Sequence, residues 1–134
     1  RLIKQAKHLG ISSSVRIDSG MPFDKLAEEF RNADLVVYPS YYEGQGLIPL
    51  EAMASGTPVA TVDHGPLPEM VDDSVGALFT MADIDSMSSA ILSLLSNPEG
   101  LETRSKAGRE RVLANFTFGQ NAEGFSQIYS QLTN

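Results

Sequence analysis

The chain has 134 residues, 42% of them hydrophobic, with a net charge of −7 and no cysteine. This length and composition predict one globular domain with a real core. They exclude disulfides and thiolate metal sites, and no apolar run reaches the ~18 residues that a transmembrane helix needs. The acidic balance argues against a nucleic-acid-binding surface.

The first third of the chain predicts helices and strands in alternation. Residues 1–9 predict a helix that ends at Gly10, and residues 15–18 predict a short strand. An amphipathic helix follows at residues 23–33. Residues 35–38 are apolar throughout, which is typical of a strand covered on both faces of a sheet.

The rest of the chain continues this alternation and then becomes helical. Further buried strands are predicted at residues 58–62 and 77–79. Helices are predicted at residues 47–55, 84–95, 101–115 and 121–132, with one helical turn near Glu69. Because strands that alternate with helices pair in parallel, we expect an α/β fold, a Rossmann-like parallel sheet with helices on both faces.

Two loops are expected at the edge where such sheets bind ligands, outside the carboxyl ends of the strands. The first, from Glu43 to Gly46, joins the strand at 35–38 to the helix at 47–55, and the second follows the strand at 58–62. Glycines let a backbone approach a phosphate, and a helix N-terminus offers unpaired N–H groups. The carboxylates of Glu43 and Glu51 are acceptors suited to sugar or ribose hydroxyls.

Each of these residues also has an ordinary structural interpretation. Glu43 and Glu51 could be a loop and a helix carboxylate in solvent, and the glycines could only make a tight turn. Tyr41 and Tyr42 are expected to pack against the loop, and the arginines from 104 to 111 to form a solvated helix face. No acidic or histidine cluster has metal-ligand spacing.

Several segments in order resemble the donor-nucleotide half of the family 4 glycosyltransferases, which are retaining enzymes of the GT-B fold. The matching segments are residues 34–40, the Glu-x7-Glu element of Glu43 and Glu51, and residues 52–60, 65–69 and 72–78. The resemblance implies that the chain is the C-terminal half of a GT-B enzyme. Such enzymes transfer a sugar from a nucleotide diphosphate sugar to a hydroxyl acceptor and generally need no metal or other cofactor.

The resemblance also implies roles for individual residues. Glu43 would contact donor-sugar hydroxyls near the reacting carbon and is the candidate catalytic residue, and Glu51 would hold the ribose. The candidate donor-binding residues are Gly44, Gln45, Gly46, Leu47, Ile48, Glu51 and Gly65. Backbone N–H groups from Gln45 to Ile48 would cradle phosphate or sugar oxygens. If Gly46 allows this backbone approach, a side chain there would meet the ligand and not the protein. If Gly46 instead makes a left-handed turn, any side chain would strain the fold itself.

Two positions depart from the family pattern. Gln45 stands where an aromatic residue is usual, and Pro66 replaces the second of two glycines and removes one N–H. No Lys or Arg occurs between Asn32 and Thr103, so the segment supplies no cation for a diphosphate.

Further expectations concern the rest of the enzyme. The family's basic pair, the N-terminal acceptor domain and the first strand of this sheet are expected before Arg1. The single domain of residues 1–134 would therefore bind a donor without turning it over, and its uncovered sheet could form a homo-dimer. We expect a cytoplasmic location, with peripheral membrane attachment of the full-length enzyme left open.

Two alternatives remain. The chain could be a free-standing nucleotide-sugar-binding or interaction domain without catalysis, or a domain related to starch or glycogen synthases. The nucleotide base, the sugar and the acceptor do not follow from the sequence.

Overall fold

The computed structural model describes residues 1–132 and has the expected α/β architecture. The strands are β1 (Val36–Tyr38), β2 (Val59–Val62) and β3 (Gly76–Phe79). The α-helices are α1 (Leu2–His8), α2 (Phe23–Asn32), α3 (Leu47–Ala54), α4 (Leu67–Met70), α5 (Ile84–Leu95), α6 (Pro98–Asn115) and α7 (Phe118–Leu132). A 3-10 turn at Ser12–Ser14 follows α1.

The strands form one parallel sheet in the order β1-β2-β3, as the alternation of strands and helices predicted. β2 is the central strand and is buried along its whole length. Gly76 pairs with Val59, and a Cβ at Gly76 would lie 2.0 Å from the Val59 carbonyl oxygen. Only glycine therefore allows β3 to approach β2 in this register.

Helices cover both faces of the sheet, so the core has two halves. Val59 of β2 belongs to the half that contains Met53 of α3 and Val112 of α6. Ala60, the next residue of β2, belongs to the half that contains Leu94 of α5. Successive strand residues point to opposite faces, and this explains why β2 is apolar without alternation. The prediction of helices on both faces is confirmed.

Three sequence predictions about elements are corrected. Residues 15–18 do not form a strand, because no strand of the described residues pairs with them and all four are exposed. α6 begins at Pro98, three residues earlier than predicted, because the Asn97 side chain caps it by accepting a hydrogen bond from Gly100 N–H at 3.0 Å. The last helix begins at Phe118, three residues earlier than predicted.

β1 has a neighbour on one side only within the described residues, because it pairs with β2 and not with residues 15–18. Its residues are half-buried rather than buried. The expected self-association through an uncovered side of the sheet concerns this edge and stays a prediction. Within residues 1–132, no helix is long and apolar enough to cross a membrane.

Candidate functional site

The carboxylate of Glu43 is held by donors from its own loop and from the end of β1. The Tyr38 hydroxyl donates to Oε2 at 2.5 Å, and the N–H groups of Gly44 and Gln45 donate to Oε1 at 3.0 and 3.2 Å. The Tyr38 hydrogen bond, followed by the backbone N–H groups of Gly46 and Gln45, lowers the pKa of Glu43. Glu43 is therefore an oriented carboxylate and not a freely rotating loop side chain.

This arrangement limits which N–H groups the loop can offer to a ligand. The N–H of Gln45, one of the expected cradle donors, is already bonded to Glu43. Leu47 and Ile48 are the first two residues of α3, and their N–H groups have no acceptor among the described residues. Pro49 has no N–H to add. Any anion at this helix end would meet two amides rather than four.

Gly46 has a structural reason to be glycine. Its φ is +86°, in the left-handed region, and a Cβ there would lie 2.9 Å from Leu67 Cδ2 and 3.2 Å from Met70 Sδ. The interpretation in which a side chain at this position meets the ligand and not the protein is therefore wrong. At Gly44, by contrast, a Cβ would have open space.

The two predicted loops meet in the structure. Gly65, in the loop after β2, has a φ of +59°, and a Cβ there would lie 3.7 Å from the Glu43 carbonyl oxygen. Pro66 and the buried Leu67 lead from this loop into α4. Glu69 lies on the helical turn predicted there, is exposed, and makes no side-chain cap on α4.

Glu51 lies on α3 in the wall of a cavity of about 660 Å³. Gln45 and Leu47 line the same cavity, and the opposite wall comes from the junction of α6 and α7, including Phe116 and Phe118. The Glu51 carboxylate is half-buried and accepts no hydrogen bond from any described residue. A ligand hydroxyl in this cavity would find an acceptor with all its lone pairs available.

The predicted site residues therefore divide into two groups. The first is the carboxylate of Glu43 with the loop backbone that holds it, and Gly65 beside it. The second is the part of the cavity wall given by Gln45, Leu47 and Glu51. Glu43 is not among the residues that line the cavity. The Ile48 side chain packs against the core, so only its backbone could contact a ligand.

Sequence reasoning missed two contributors to this region. Tyr38 was counted only as a strand residue, although its place at the carboxyl end of β1 was a signal for a site role. The α6–α7 junction gave no local signal, because its position opposite Glu51 depends on contacts between distant residues. Tyr41 and Tyr42 were expected to pack, but both are largely exposed.

The arginines of α6 are not a solvated face, which corrects the sequence interpretation. Arg111 donates to the Met70 carbonyl at 3.1 Å and to Asp72 Oδ2 at 2.8 Å. The bond to Asp72, together with those from Ser74, lowers the pKa of Asp72 to about 2. Arg104 donates to the Asp73 carbonyl at 3.0 Å, and Arg109 donates to the Ala54 carbonyl. None of these bonds reaches the Glu43 loop.

Fold and site together define a class of protein. A parallel sheet with helices on both faces, and with loops at its carboxyl edge that lead into helices, defines the open α/β domains, whose ligands bind at that edge. Within that class, the family described as "Glycosyl transferases group 1" matches residues 1–111. The chain belongs to the group 1 glycosyltransferases.

Relatives and solved structures agree with this assignment. The chain is 35% identical over 130 residues to an MMP alpha-(1->4)-mannosyltransferase of Mycolicibacterium hassiacum, covering 96% of this chain and 32% of the relative. It is 31% identical over 129 residues to a glycogen synthase of Mycobacterium tuberculosis, covering 96% and 31%. The structure of sucrose-phosphate synthase from Thermosynechococcus elongatus superposes with a TM-score of 0.89 at 33% identity, covering 99% of this chain and 34% of that one.

These similarities confirm the fold prediction, a Rossmann-like half of a GT-B glycosyltransferase. They concern a part of each protein, since the chain spans about a third of the length of the curated relatives it matches.

Proposed function

We propose that residues 1–134 form the C-terminal, donor-binding domain of a retaining, family 4 glycosyltransferase. The full enzyme would transfer a sugar from a nucleotide diphosphate sugar to a hydroxyl acceptor held by a second domain. The observation that carries this proposal is the pair of carboxylates on one β1–loop–α3 unit. Glu43 is held in place by hydrogen-bond donors. Glu51 lies in the wall of a cavity of about 660 Å³ and has no hydrogen-bond partner among residues 1–132.

The chemistry follows from what each group can accept or donate. Glu43 accepts from hydroxyls of the donor sugar, and Glu51 accepts from ribose hydroxyls. The N–H groups of Leu47 and Ile48 donate to the diphosphate at the positive end of α3. Charge that develops on the leaving diphosphate is stabilised by these donors and by cations, without a metal.

Neither α6 nor the segment around the Glu43 loop supplies the cations of that mechanism. The arginines of α6 bond to main-chain carbonyls and to Asp72, away from the loop. No Lys or Arg occurs between Asn32 and Thr103. The chain alone therefore binds a donor weakly and does not turn it over.

The carboxylate pair of Glu43 and Glu51 also fits one second candidate, a nucleotide-sugar-binding domain without catalysis. Pro66 adds to it, because proline removes one N–H from the loop after β2. The two candidates share the binding site and differ in whether the full-length protein transfers sugar. Assaying sugar release from UDP-glucose and GDP-mannose by the full-length protein separates them.

Titration of the chain with UDP, GDP and ADP, followed by amide NMR, tests the binding site. We expect a Kd on the order of 1 mM for the best nucleotide, because the cations are missing. Shifts should centre on Leu47, Ile48 and Glu51. The proposal fails if no nucleotide shifts these amides at about ten times that concentration.

A matched pair of variants then tests Glu51. Glu51→Gln should weaken nucleotide binding about fivefold, which corresponds to ~1 kcal/mol. Glu110→Gln is the control, since Glu110 is an exposed carboxylate on α6 outside the cavity. Equal affinity of the two variants would return Glu51 to the role of a solvent-facing helix residue.

A further inference from the structure

Tyr38 is held both at its backbone and at its hydroxyl. Its ring packs against the half of the core that contains Phe79 and Leu94. Its carbonyl oxygen accepts a hydrogen bond from Thr61 Oγ1 at 2.9 Å, across the β1–β2 pair. Its hydroxyl donates to Glu43 Oε2 at 2.5 Å. The phenol therefore connects the sheet to the loop carboxylate.

The two oxygens of Glu43 differ in how much bonding capacity remains. A carboxylate oxygen can accept about two hydrogen bonds. Oε1 already accepts from the N–H groups of Gly44 and Gln45. Oε2 accepts from the Tyr38 hydroxyl, and the Gly46 N–H adds a backbone interaction with the carboxylate that is weaker than that of Tyr38. Oε2 is therefore the oxygen that can accept from a ligand hydroxyl, and Tyr38 is the residue that sets where this oxygen lies.

We propose that Tyr38 is a positioning residue for the donor sugar. Its hydroxyl holds Glu43 Oε2 in the orientation in which that oxygen accepts a sugar hydroxyl. This inference rests on the proposed function, in which Glu43 contacts the sugar and Glu51 the ribose. It adds a specific consequence: Tyr38 contributes to binding of the sugar and not of the nucleotide.

The electrostatics agree with this geometry. The hydrogen bond to Tyr38 is the largest cause that lowers the pKa of Glu43, and the backbone N–H groups of Gly46, Gln45 and Gly44 add to it. The same bond is the largest cause that raises the pKa of Tyr38, followed by burial. Phenol and carboxylate therefore stabilise each other in the protonation states in which the phenol donates and the carboxylate accepts.

The test uses Tyr38→Phe, which keeps the packed ring and removes the hydroxyl. The control is Tyr42→Phe, because Tyr42 lies in the same loop, is 90% exposed and has no side-chain hydrogen bond recorded within residues 1–132. The N–H groups of Gly44 and Gln45 contact Glu43 and report its titration by amide NMR. We expect the Glu43 titration midpoint to rise in Tyr38→Phe and to stay unchanged in Tyr42→Phe.

Binding is measured with UDP, GDP, UDP-glucose and GDP-mannose. The informative quantity is the ratio of Kd for a nucleotide to Kd for its sugar conjugate, which isolates the sugar contribution. For the conjugate that binds best, we expect Tyr38→Phe to reduce this ratio about fivefold, with Kd for the bare nucleotide unchanged. In a Glu43→Gln background the Tyr38→Phe change should have no further effect, because the two residues act through one bond.

The possible failures are distinguishable. An unchanged Glu43 midpoint in Tyr38→Phe overturns the positioning role, even if the nucleotides bind as proposed. A raised midpoint with an unchanged sugar contribution also overturns it, and leaves the hydrogen bond a purely structural one. Absence of binding by every nucleotide and conjugate in the parent chain overturns the proposed function and this inference together.

Discussion

The Glu43 loop and the arginines of α6 both depend on side-chain hydrogen bonds, but over very different distances along the chain. In the loop, Glu43 bonds to Tyr38, Gly44 and Gln45, all within five residues. On α6, Arg104, Arg109 and Arg111 each bond to groups between 31 and 55 residues away, and Arg104 also bonds to the Gly100 carbonyl on its own helix. The loop bonds orient the Glu43 carboxylate locally. The α6 bonds hold a long helix against the segments that end α3 and α4.

This difference indicates how function and stability are divided in the domain. Glu43 keeps an oxygen with bonding capacity to spare, so changes there are expected to alter ligand binding. The N–H groups of the α6 arginines are bonded to main-chain carbonyls and to Asp72. Changes at these arginines are therefore expected to alter the free energy of unfolding. Gly46 is an exception: it lies in the loop, but a change there is expected to alter stability, because an added side chain would meet Leu67.

The largest effect is expected at Gly46. Gly46→Ala should destabilise the chain by roughly 2–4 kcal/mol, because it adds the cost of a left-handed conformation to the close contact with Leu67. The matched control is Gly44→Ala, where a Cβ has open space. Thermal or urea unfolding measures both. Equal stability of the two variants would contradict the structural role of Gly46.

A smaller effect is expected at Arg111. Arg111→Met keeps much of the aliphatic stem and removes the bonds to Met70, Asp72 and Ser74, at a cost of about 2 kcal/mol. Lys106→Met is the control, because Lys106 makes only an exposed ion pair with Glu102 on the same helix. Nucleotide affinity of folded Arg111→Met should equal that of the parent. A loss of affinity would mean that the Arg111 hydrogen bonds also support the ligand site.

The smallest effect is expected in how the free energy of unfolding depends on pH, through the ion pair of Asp72 with Arg111. The pKa of Asp72 is lowered to about 2 in the folded chain, from an ordinary value of 3.8. The stabilisation is therefore complete above pH ~4 and is lost as the pH falls towards 2. Because the Asp72 side chain is half exposed, we expect about 1 kcal/mol or less. Asp72→Asn should flatten this part of the stability curve, and an identical curve would contradict it.

The division between local and distant bonds also explains what could be predicted from the sequence. The parallel α/β order follows from apolar runs separated by helical periodicity, and the Glu43 loop from glycines and a carboxylate between a strand and a helix. Residues 15–18 have the composition of a strand, but a strand also needs a neighbour, and composition does not supply one.

Apart from Tyr38, whose partner Glu43 is five residues away, the missed features depend on distant partners. Nothing near Arg111 in the sequence indicates Asp72, and nothing near Phe118 indicates Glu51 across the cavity. Gly46 shows a subtler limit. A glycine before a helix fits both ligand approach and a left-handed turn, and only the position of Leu67 distinguishes the two.

Gly76 has a consequence for how the chain finds its structure. β3 can lie against β2 only where a residue without a side chain faces the Val59 carbonyl. A shifted pairing would bring Val75, Ala77 or Leu78 to that point, each with a Cβ that the carbonyl excludes. Gly76 thus fixes the register of β3 on β2, because every shifted pairing places a Cβ against the Val59 carbonyl. The apolar character of the strands alone would not distinguish these registers.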